Sequence, residues 1–378
     1  MNMTRVLFII TGLEGGGAEK ALVNLLRAMD KQTYNISVLV IFGDKIGTDI
    51  VEGVTYHTLF GNNHSMVYKI AKHLYLDWHT PALLKYLTRR KVPDYYDVIV
   101  SFLEGDSLLY HSFIFDRAQR NISWVHTDLV ENHWSARHFV GEDEKKAYST
   151  LNGVVFVSEY AQTQFNKVFH LSENIKQYIC PNIINETEIV QKSQELVADV
   201  VKRTFTICSV GRLEEVKGYD MVVEAALILK RQGTDVDFWI IGTGSQEKRL
   251  RALIQGAGVD DIVHLLGYKA NPYPYMRMAD IFLSSSRAEG LPLVFGEAMC
   301  LGKPIVATRT IGALTMLQNG EYGKIVDMSP SAIAGIITEL QMNHSLLAHC
   351  GELSRIGKKQ FDAQNVLDIV ESVLGKNK

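Results

Sequence analysis

Residues 5–29 read RVLFIITGLEGGGAEKALVNLLRAM. The apolar run Arg5–Thr11 is followed by a glycine-rich loop and then by Ala18–Met29, where apolar residues recur at helical spacing. A buried strand, a tight glycine turn and an amphipathic helix, in this order, open a parallel α/β sheet. The stretch therefore predicts a Rossmann-like sheet at the start of the chain.

The same alternation of short apolar runs and longer mixed segments continues through the 378 residues. In the first half it predicts strands at Arg5–Thr11, Ile36–Phe42, Val54–Leu59, Asp97–Leu103, Ile122–His126, Val154–Ser158 and Gln177–Cys180. A polar stretch, 185–202, has no strand signal and is predicted to connect two domains. The pattern then restarts with strands at Phe205–Val210, Asp237–Ile241, Ile262–Leu266, Ile281–Ser284, Pro304–Ala307 and Lys324–Val326.

The restart predicts the α/β class with two Rossmann-like domains, residues 1–183 and 204–360, that face each other across a cleft. A chain of this length is expected to form two domains of ordinary size. The final stretch, Leu346–Leu374, is helical in spacing and adds no strand. We predict that its last part, about 361–378, packs back on the first domain.

The composition excludes several classes of protein. A net charge of −3 without a basic tail argues against nucleic acid as a partner. The four cysteines lie far apart with no C-x-x-C pair, which argues against a disulfide framework and a thiolate zinc site. We find neither a signal-peptide core nor an uncharged stretch of the roughly 18 residues that a membrane span requires. These features predict a cytoplasmic protein with reduced thiols.

The loop Gly12–Gly17 lies between the first strand and the first helix, where backbone amides and the helix dipole favour a phosphate group. Its spacing is not G-x-G-x-x-G, which weakens a dinucleotide interpretation. Asp44, which closes the second strand, keeps a nicotinamide-dependent oxidoreductase open as an alternative. The glycines are also compatible with a tight turn that binds nothing.

Residues 211–218, GRLEEVKG, likewise end a strand and begin a helix. Arg212 offers a rigid fork of donors for phosphate oxygens, and Lys217 adds a compact positive charge. Together they could neutralise a diphosphate without a metal ion. The alternative is a pair of solvated surface cations.

Residues 286–299 read SRAEGLPLVFGEAM, and Pro292 is predicted at the first helical position. Glu289 then lies in the loop before the helix and Glu297 in its second turn. Two carboxylates this far apart along the chain cannot form the pair of a retaining glycosidase, which needs about 5–5.5 Å. The two carboxylates could instead contact opposite ends of an elongated ligand. The alternative is that they cap a helix or lie on the surface and bind no ligand.

The chain resembles glycosyltransferase family 4, whose members are retaining, nucleotide-sugar-dependent enzymes with the GT-B fold. The resemblance covers nearly the whole chain. It is carried by GGGAE at Gly15–Glu19, SWVHTD at Ser123–Asp128, CPN at Cys180–Asn182, GRLxxxKG at Gly211–Gly218 and EGLPLVFGEAM at Glu289–Met299. The last two, in this order and spacing, are the specific ones.

The resemblance implies a role for each matched residue. Glu289 would contact the donor sugar, Glu297 would hold the nucleotide ribose, and Arg212 with Lys217 would bind the diphosphate. His126, which alone would be read as a buried core histidine, would lie near the transferred sugar. The further donor-binding residues implied are Gly15, Gly16, Gly17, Gly290, Leu291, Pro292, Leu293 and Val294.

The function implied is transfer of a hexose or N-acetylhexosamine, with retention, to a hydroxyl of a glycan or lipid-linked glycan in cell-surface polysaccharide biosynthesis. The donor would be a UDP-sugar, with no cofactor and no metal ion. Catalytic residues would be Glu289, His126, Arg212 and Lys217. The alternatives are the oxidoreductase described above and a donor-binding subunit without activity of its own.

Two further patterns carry weaker hypotheses. The segment 65–91 interleaves aromatic and basic residues, which suits a surface helix lying on anionic lipid or an ordinary amphipathic helix packed on the sheet. His126, His133, His138 and Asp128 match no standard zinc spacing. Asp235-Val236-Asp237 precedes a strand, so we interpret it as a turn and not as a D-x-D metal site.

Overall fold

A computed structural model gives the structure of the chain and describes residues 3–13, 16–45 and 50–375. The chain divides into two compact units. The first unit comprises Met1–Ile183 and Asp362–Lys378, and the second comprises Ile184–Phe361. Each unit is built around one parallel sheet.

In the first unit the strands are β1 Thr4–Ile10, β2 Tyr34–Phe42, β3 Val54–Phe60, β4 Tyr96–Ser101, β5 Ala118–Val125, β6 Gly153–Phe156 and β7 Lys176–Ile179. The helices are α1 Gly17–Ala28, α2 Met66–Leu76, α3 Ala82–Lys91, α4 Asp106–Ser112, α5 Asp143–Thr150 and α6 Glu159–Val168. The strand order is β3-β2-β1-β4-β5-β6-β7. The order reverses between β1 and β4, which is the switch point where α/β sheets bind ligands at the carboxyl ends of their strands.

The second unit begins with α7 Glu186–Lys192. Its strands are β8 Phe205–Val210, β9 Val236–Ile241, β10 Val263–Gly267, β11 Ile281–Ser284, β12 Ile305–Thr308 and β13 Lys324–Val326. Its other helices are α8 Tyr219–Arg231, α9 Glu247–Ala257, α10 Tyr273–Met278, α11 Leu293–Cys300, α12 Ile311–Met316, α13 Pro330–Met342 and α14 His344–Gly357. The order β10-β9-β8-β11-β12-β13 places this switch point between β8 and β11. The last helix, α15 Ala363–Leu374, lies in the first unit.

The core of each unit explains why short apolar runs form these strands. Val6–Ile10 of β1 is wholly buried, as expected for a central parallel strand covered on both faces. In the second unit alternate residues face opposite sides of the sheet. Phe238 and Ile240 of β9 join one apolar cluster, while Trp239 and Ile241 join the other.

All the predicted strands are present in the described residues, so the predicted α/β class with two Rossmann-like sheets is confirmed. The largest shift is at β5, which begins at Ala118 and not at Ile122. Gln119 and Arg120 interrupt the apolar run there, but Ala118 still pairs with Tyr96 of β4.

Two predictions of helices are corrected. The segment 65–91 is not one helix but two, because His79 adopts a left-handed backbone (φ 54°) between α2 and α3 and Pro81 has no N–H to continue a helix. The stretch Leu346–Leu374 is also divided. A short 3-10 turn, Lys358–Phe361, ends α14, and the Asp362 side chain caps α15.

Among the described residues, no helix combines the length and the apolar character that crossing a membrane requires.

Candidate functional site

The loops that follow β8, β9 and β11 bring their backbones into direct contact at the carboxyl end of the second sheet. Gly218 has a left-handed backbone (φ 63°), and a Cβ atom there would lie 2.2 Å from the Ser285 carbonyl oxygen. A Cβ atom on Gly242 would lie 2.0 Å from the Gly211 carbonyl oxygen. Only glycine fits at these two positions, and the close approach places Gly211–Gly218 beside the loop that follows β11.

Lys217 and Glu289 form an ion pair at this point. Ser286 Oγ donates a hydrogen bond of 2.7 Å to the same carboxylate oxygen, Oε1. The Lys217 and Glu289 side chains are 22% and 14% exposed, so both charges are partly shielded from water. A small cavity lies beside the pair, bordered also by Tyr219 and Val294. The structure thus brings together two of the residues that the sequence predicted, 72 positions apart.

Arg212 is exposed and makes no ion pair with any described residue. Glu214, two residues further on, has its pKa lowered by hydrogen bonds from Ser245 and by the charge of Arg212. The Arg212 guanidinium therefore remains available to an anion, whereas Lys217 already has a carboxylate partner.

The loop between Ser286 and α11 is fixed at both ends. Arg287 makes a two-pronged ion pair with Asp220 of α8, with N–O distances of 2.9 and 2.7 Å. The Gly312 amide donates to the Glu289 carbonyl oxygen at 2.9 Å. Gly290, at the tip, is exposed. The loop therefore holds the Glu289 backbone in one place while its side chain reaches Lys217.

Helix α11 begins at Leu293, one residue later than predicted. Pro292 is its N-cap with an extended backbone (ψ 102°), so the prediction that it is the first helical residue is wrong. The amides of Leu293 and Val294 open the helix, where backbone N–H groups have no acceptor within it. Leu291 precedes the cap and is half-buried. The start of α11 is thus a donor-rich end close to the Lys217–Glu289 pair.

Glu297 lies in the second turn of α11, as predicted, and is 7% exposed. Tyr273, at the start of α10, donates a hydrogen bond of 3.1 Å from its hydroxyl to Glu297 Oε1. Burial raises the pKa of Tyr273 above its usual value, and the charge of Glu297 raises it further. The hydroxyl therefore stays protonated and orients the carboxylate.

The glycine loop of the first unit is described only in part. Gly16 is the N-cap of α1, and its amide donates to Glu19 Oε2 at 3.0 Å. Gly17 is the first helical residue and has open space where a Cβ would lie. Gly15, which the resemblance assigns to donor binding, lies outside the described residues.

His126 follows β5 at the carboxyl end of the first sheet. Its ring lies against Phe102, with the ring centroids 5.0 Å apart. Nε2 is shielded from solvent and has no hydrogen-bond partner in the described part of the chain. Burial lowers the pKa of His126 to about 3, although a hydrogen bond to the backbone of Phe102 opposes that shift. The ring is therefore neutral at physiological pH.

Glu104, in the loop after β4, is a buried residue that the sequence analysis missed. Its Oε1 accepts hydrogen bonds from the amides of His126 and Thr127, both at 2.8 Å, and from the Thr127 hydroxyl at 2.9 Å. A signal was present in the sequence, since an acidic residue and a glycine directly follow a buried strand at a switch point.

A second missed cluster is formed by Lys72, Asp106 and His138. Asp106 Oδ1 lies 2.6 Å from Lys72 Nζ and 2.9 Å from His138 Nδ1. Burial alone would raise the pKa of Asp106, but the hydrogen bond from His138 and the Lys72 charge hold it below its usual value. His133 instead contacts Glu144 at 2.9 Å. The three histidines therefore face different partners, and the described residues contain no group of three or more metal-ligating side chains.

Part of the second unit is similar to a known family of enzymes. Residues 192–356 match the family model Glycosyl transferases group 1. This stretch contains Arg212, Lys217, Glu289 and Glu297, and the match indicates a transferase.

Relatives extend the likeness to the rest of the chain. An uncharacterized glycosyltransferase from Haemophilus influenzae is 22% identical over 98% of this chain and 100% of its own length. The amylovoran biosynthesis glycosyltransferase AmsK from Erwinia amylovora is 32% identical over 39% of this chain. A Campylobacter jejuni N-acetylgalactosaminyltransferase named for a diphospho-undecaprenol-linked substrate is 28% identical over 52%. The last two alignments span only 38% and 54% of those relatives' own lengths.

Solved structures show the same fold. HepE from Anabaena, in complex with UDP and glucose, superposes with a TM-score of 0.78 at 19% identity, covering 98% of this chain and 100% of that one. WaaG, a glycosyltransferase involved in lipopolysaccharide biosynthesis, superposes with a TM-score of 0.72 at 14% identity, covering 98% of this chain and 100% of that one. The predicted GT-B fold class is confirmed by these likenesses.

Proposed function

We propose that the chain is a retaining glycosyltransferase of family 4 that uses a UDP-sugar and needs no metal ion. The observation that carries the proposal is the Lys217–Glu289 pair, with Ser286 on the same carboxylate, beside the start of α11 and the available Arg212. Cations and helix amides at one switch point suit a diphosphate, and a carboxylate next to them suits sugar hydroxyls. HepE, a relative in fold, is named with UDP and glucose bound.

The chemistry requires that negative charge be stabilised on the diphosphate as its bond to the sugar C1 lengthens. Arg212, Lys217 and the α11 amides would supply that stabilisation. We propose front-face displacement, in which the leaving phosphate takes the acceptor proton and the acceptor oxygen forms the new bond to C1. Glu289 would orient the sugar, and Glu297 would hold the ribose. His126, with its neutral ring, would lie near the transferred sugar.

The donor residues Gly290, Leu291, Pro292, Leu293 and Val294 would act through their backbone. The acceptor would be a hydroxyl of a glycan or lipid-linked glycan, bound by the first unit. AmsK and the Campylobacter jejuni enzyme, which are named for amylovoran biosynthesis and for a diphospho-undecaprenol substrate, support this class.

The test is a panel of UDP-, GDP- and dTDP-sugars with NAD as a competing ligand. The proposal expects UDP and at least one UDP-sugar to raise the melting temperature of the purified chain, and it expects slow hydrolysis of that donor. Stabilisation by NAD alone would support an oxidoreductase. UDP binding without hydrolysis or transfer by the single chain, across the panel and with lipid-linked acceptors, would support a non-catalytic donor-binding subunit.

Chelation tests the metal-free mechanism. We expect EDTA to leave at least about half of the initial rate, because two side-chain cations and helix amides would carry the charge that Mg²⁺ carries in metal-dependent transferases. Rates should be measured after dialysis against EDTA, with and without added Mg²⁺. Complete loss of activity that Mg²⁺ restores would refute metal independence.

Helices α2 and α3 support a peripheral site for an anionic membrane on the cytoplasmic side. Met66, Val67 and Trp78 are exposed at 71%, 50% and 69%. The exposed cations nearby are Lys69, Lys85, Arg90 and Lys91. Two other cations of the segment are already engaged, since Lys72 pairs with Asp106 and Arg89 makes a two-pronged pair with Asp116.

We expect the protein to sediment with vesicles of anionic lipid at low salt and to be released by salt, with each exposed cation contributing up to about 1 kcal/mol. Charge reversal at Lys85, Arg90 and Lys91 should abolish binding. Reversal at Arg89 alone, whose charge is already paired with Asp116, should have a smaller effect than reversal at the neighbouring exposed Arg90 alone. If the triple variant still bound the vesicles, α2 and α3 would be ordinary amphipathic helices packed on the sheet, without a role in membrane binding.

A further inference from the structure

We propose that Glu104 is a positioning residue that fixes the backbone of His126 and Thr127 and thereby holds in place the loop on which the His126 ring is carried. The inference rests on the proposed function for its catalytic consequence. Its structural part rests on contacts within the first unit alone.

Glu104 connects two loops at the carboxyl ends of neighbouring strands. It follows β4, whereas His126 and Thr127 follow β5, and these strands pair directly. One carboxylate oxygen, Oε1, accepts three hydrogen bonds at 2.8–2.9 Å, two from backbone amides and one from the Thr127 hydroxyl. Three contacts to a single atom define the position of the following loop far more tightly than one contact would.

The burial of Glu104 is unusual for a carboxyl group and calls for a structural explanation. The residue is 0% exposed, and no cation forms an ion pair with it among the described residues. Burial raises the pKa of Glu104, although hydrogen bonds from its own amide, from the Thr127 and His126 amides and from the Thr127 hydroxyl oppose the shift. A buried carboxyl group without a cationic partner reduces stability compared with an apolar side chain of similar size. The geometry that it imposes on the His126 loop is the gain that would offset this cost.

The same loop is supported from the other side. Trp134 Nε1 donates to Thr127 Oγ1 at 3.1 Å. Gly105 has a left-handed φ of 71°, and a Cβ atom there would lie 2.9 Å from the Trp134 ring. The glycine after Glu104 therefore lets the indole pack against the loop that follows β4, and the indole in turn holds the Thr127 hydroxyl.

Three variants separate positioning from simple loss of stability. Glu104→Ala removes all three hydrogen bonds. Glu104→Gln keeps an acceptor oxygen in place and is the conservative rescue. Asp97→Ala is the matched control, because Asp97 of β4 is also a carboxylate of the first unit that accepts a hydrogen bond from a backbone amide, that of Arg5 at 2.7 Å.

Structural readouts do not depend on activity. In the wild-type protein the amides of His126 and Thr127 should exchange with deuterium as slowly as those of β5. Glu104→Ala should lose the protection of both amides, whereas Glu104→Gln and Asp97→Ala should keep it. Fast exchange of these amides in the wild-type protein would overturn the proposal without any variant, even if Glu104→Ala does not fold.

The kinetic readout is a split between kcat and donor binding. Glu104→Ala should lower kcat by about 100-fold, as expected for a misplaced reactive group, while UDP affinity stays within about twofold. Glu104→Gln should recover most of the rate. Equal kcat in Glu104→Ala and wild type, with UDP bound and transfer observed, would refute the positioning role. An absence of transfer in the wild type would count against the proposed function, while the exchange data would still test the structural claim.

Discussion

Lys217→Ala and Arg212→Ala are each expected to lower kcat/KM by about 30- to 1000-fold, a cost of about 2–4 kcal/mol in transition-state stabilisation. Each cation would meet negative charge that grows on the leaving diphosphate. The two residues differ in their starting state. Lys217 is paired with Glu289, whereas Arg212 makes no ion pair with a described residue.

This difference predicts how the loss divides between binding and rate. Arg212→Ala should weaken UDP binding the more strongly, because Arg212 has no protein partner to give up when the diphosphate arrives. Lys217→Ala should lower kcat the more strongly, because it also leaves the partly buried Glu289 carboxylate without its cation.

Calorimetric titration of UDP and steady-state rates for both variants measure the division. Lys230→Ala is the matched control, since Lys230 is a cation of the same unit whose partner is Asp261 on the surface. Its kinetic constants should equal those of the wild type. Full kcat and full UDP affinity in either Arg212→Ala or Lys217→Ala would show that the diphosphate does not bind at this switch point.

The strands of both sheets could be predicted from the sequence because buried parallel strands are continuous apolar runs, whose signal is local. The sequence also predicted that Glu289 and Arg212 lie in loops, because each residue comes shortly after an apolar run that forms a strand. Pro292 shows the limit of this approach. Proline suits both the cap and the first helical position, so the sequence alone could not separate them.

The partners of these side chains could not be predicted, because packing between loops that are distant in sequence determines them. Glu104 reaches residues 22 and 23 positions away, and Tyr273 reaches Glu297 across 24 positions. Neither contact leaves a periodic signal. The basic segment 65–91 likewise contains no indication that Arg89 pairs with Asp116, which lies outside the segment.

The two glutamates of the proposed donor site are expected to divide binding and rate between them. Glu297 is buried in α11 and oriented by Tyr273, so it would accept hydrogen bonds from ribose hydroxyls that change little as the sugar leaves. Glu297→Gln should therefore weaken UDP and donor binding alike by about tenfold, the value of one charge-assisted hydrogen bond, and should raise KM more than it lowers kcat. Tyr273→Phe removes only the hydroxyl that orients Glu297. It should also weaken UDP and donor binding, but by less than Glu297→Gln.

Glu289 should behave in the opposite way. Its carboxylate would touch the sugar, where positive charge builds on C1, so Glu289→Gln should lower kcat on the order of 100-fold. The same substitution removes the negative charge beside Lys217, which leaves that cation free for the diphosphate. UDP should therefore bind to Glu289→Gln as tightly as to the wild type or several-fold more tightly. UDP titrations and steady-state rates on all three variants test the division. Loss of UDP affinity in Glu289→Gln, together with unchanged affinity in Glu297→Gln, would mean that the donor lies in the reverse direction along α11, with its sugar near Glu297 and its ribose near Glu289.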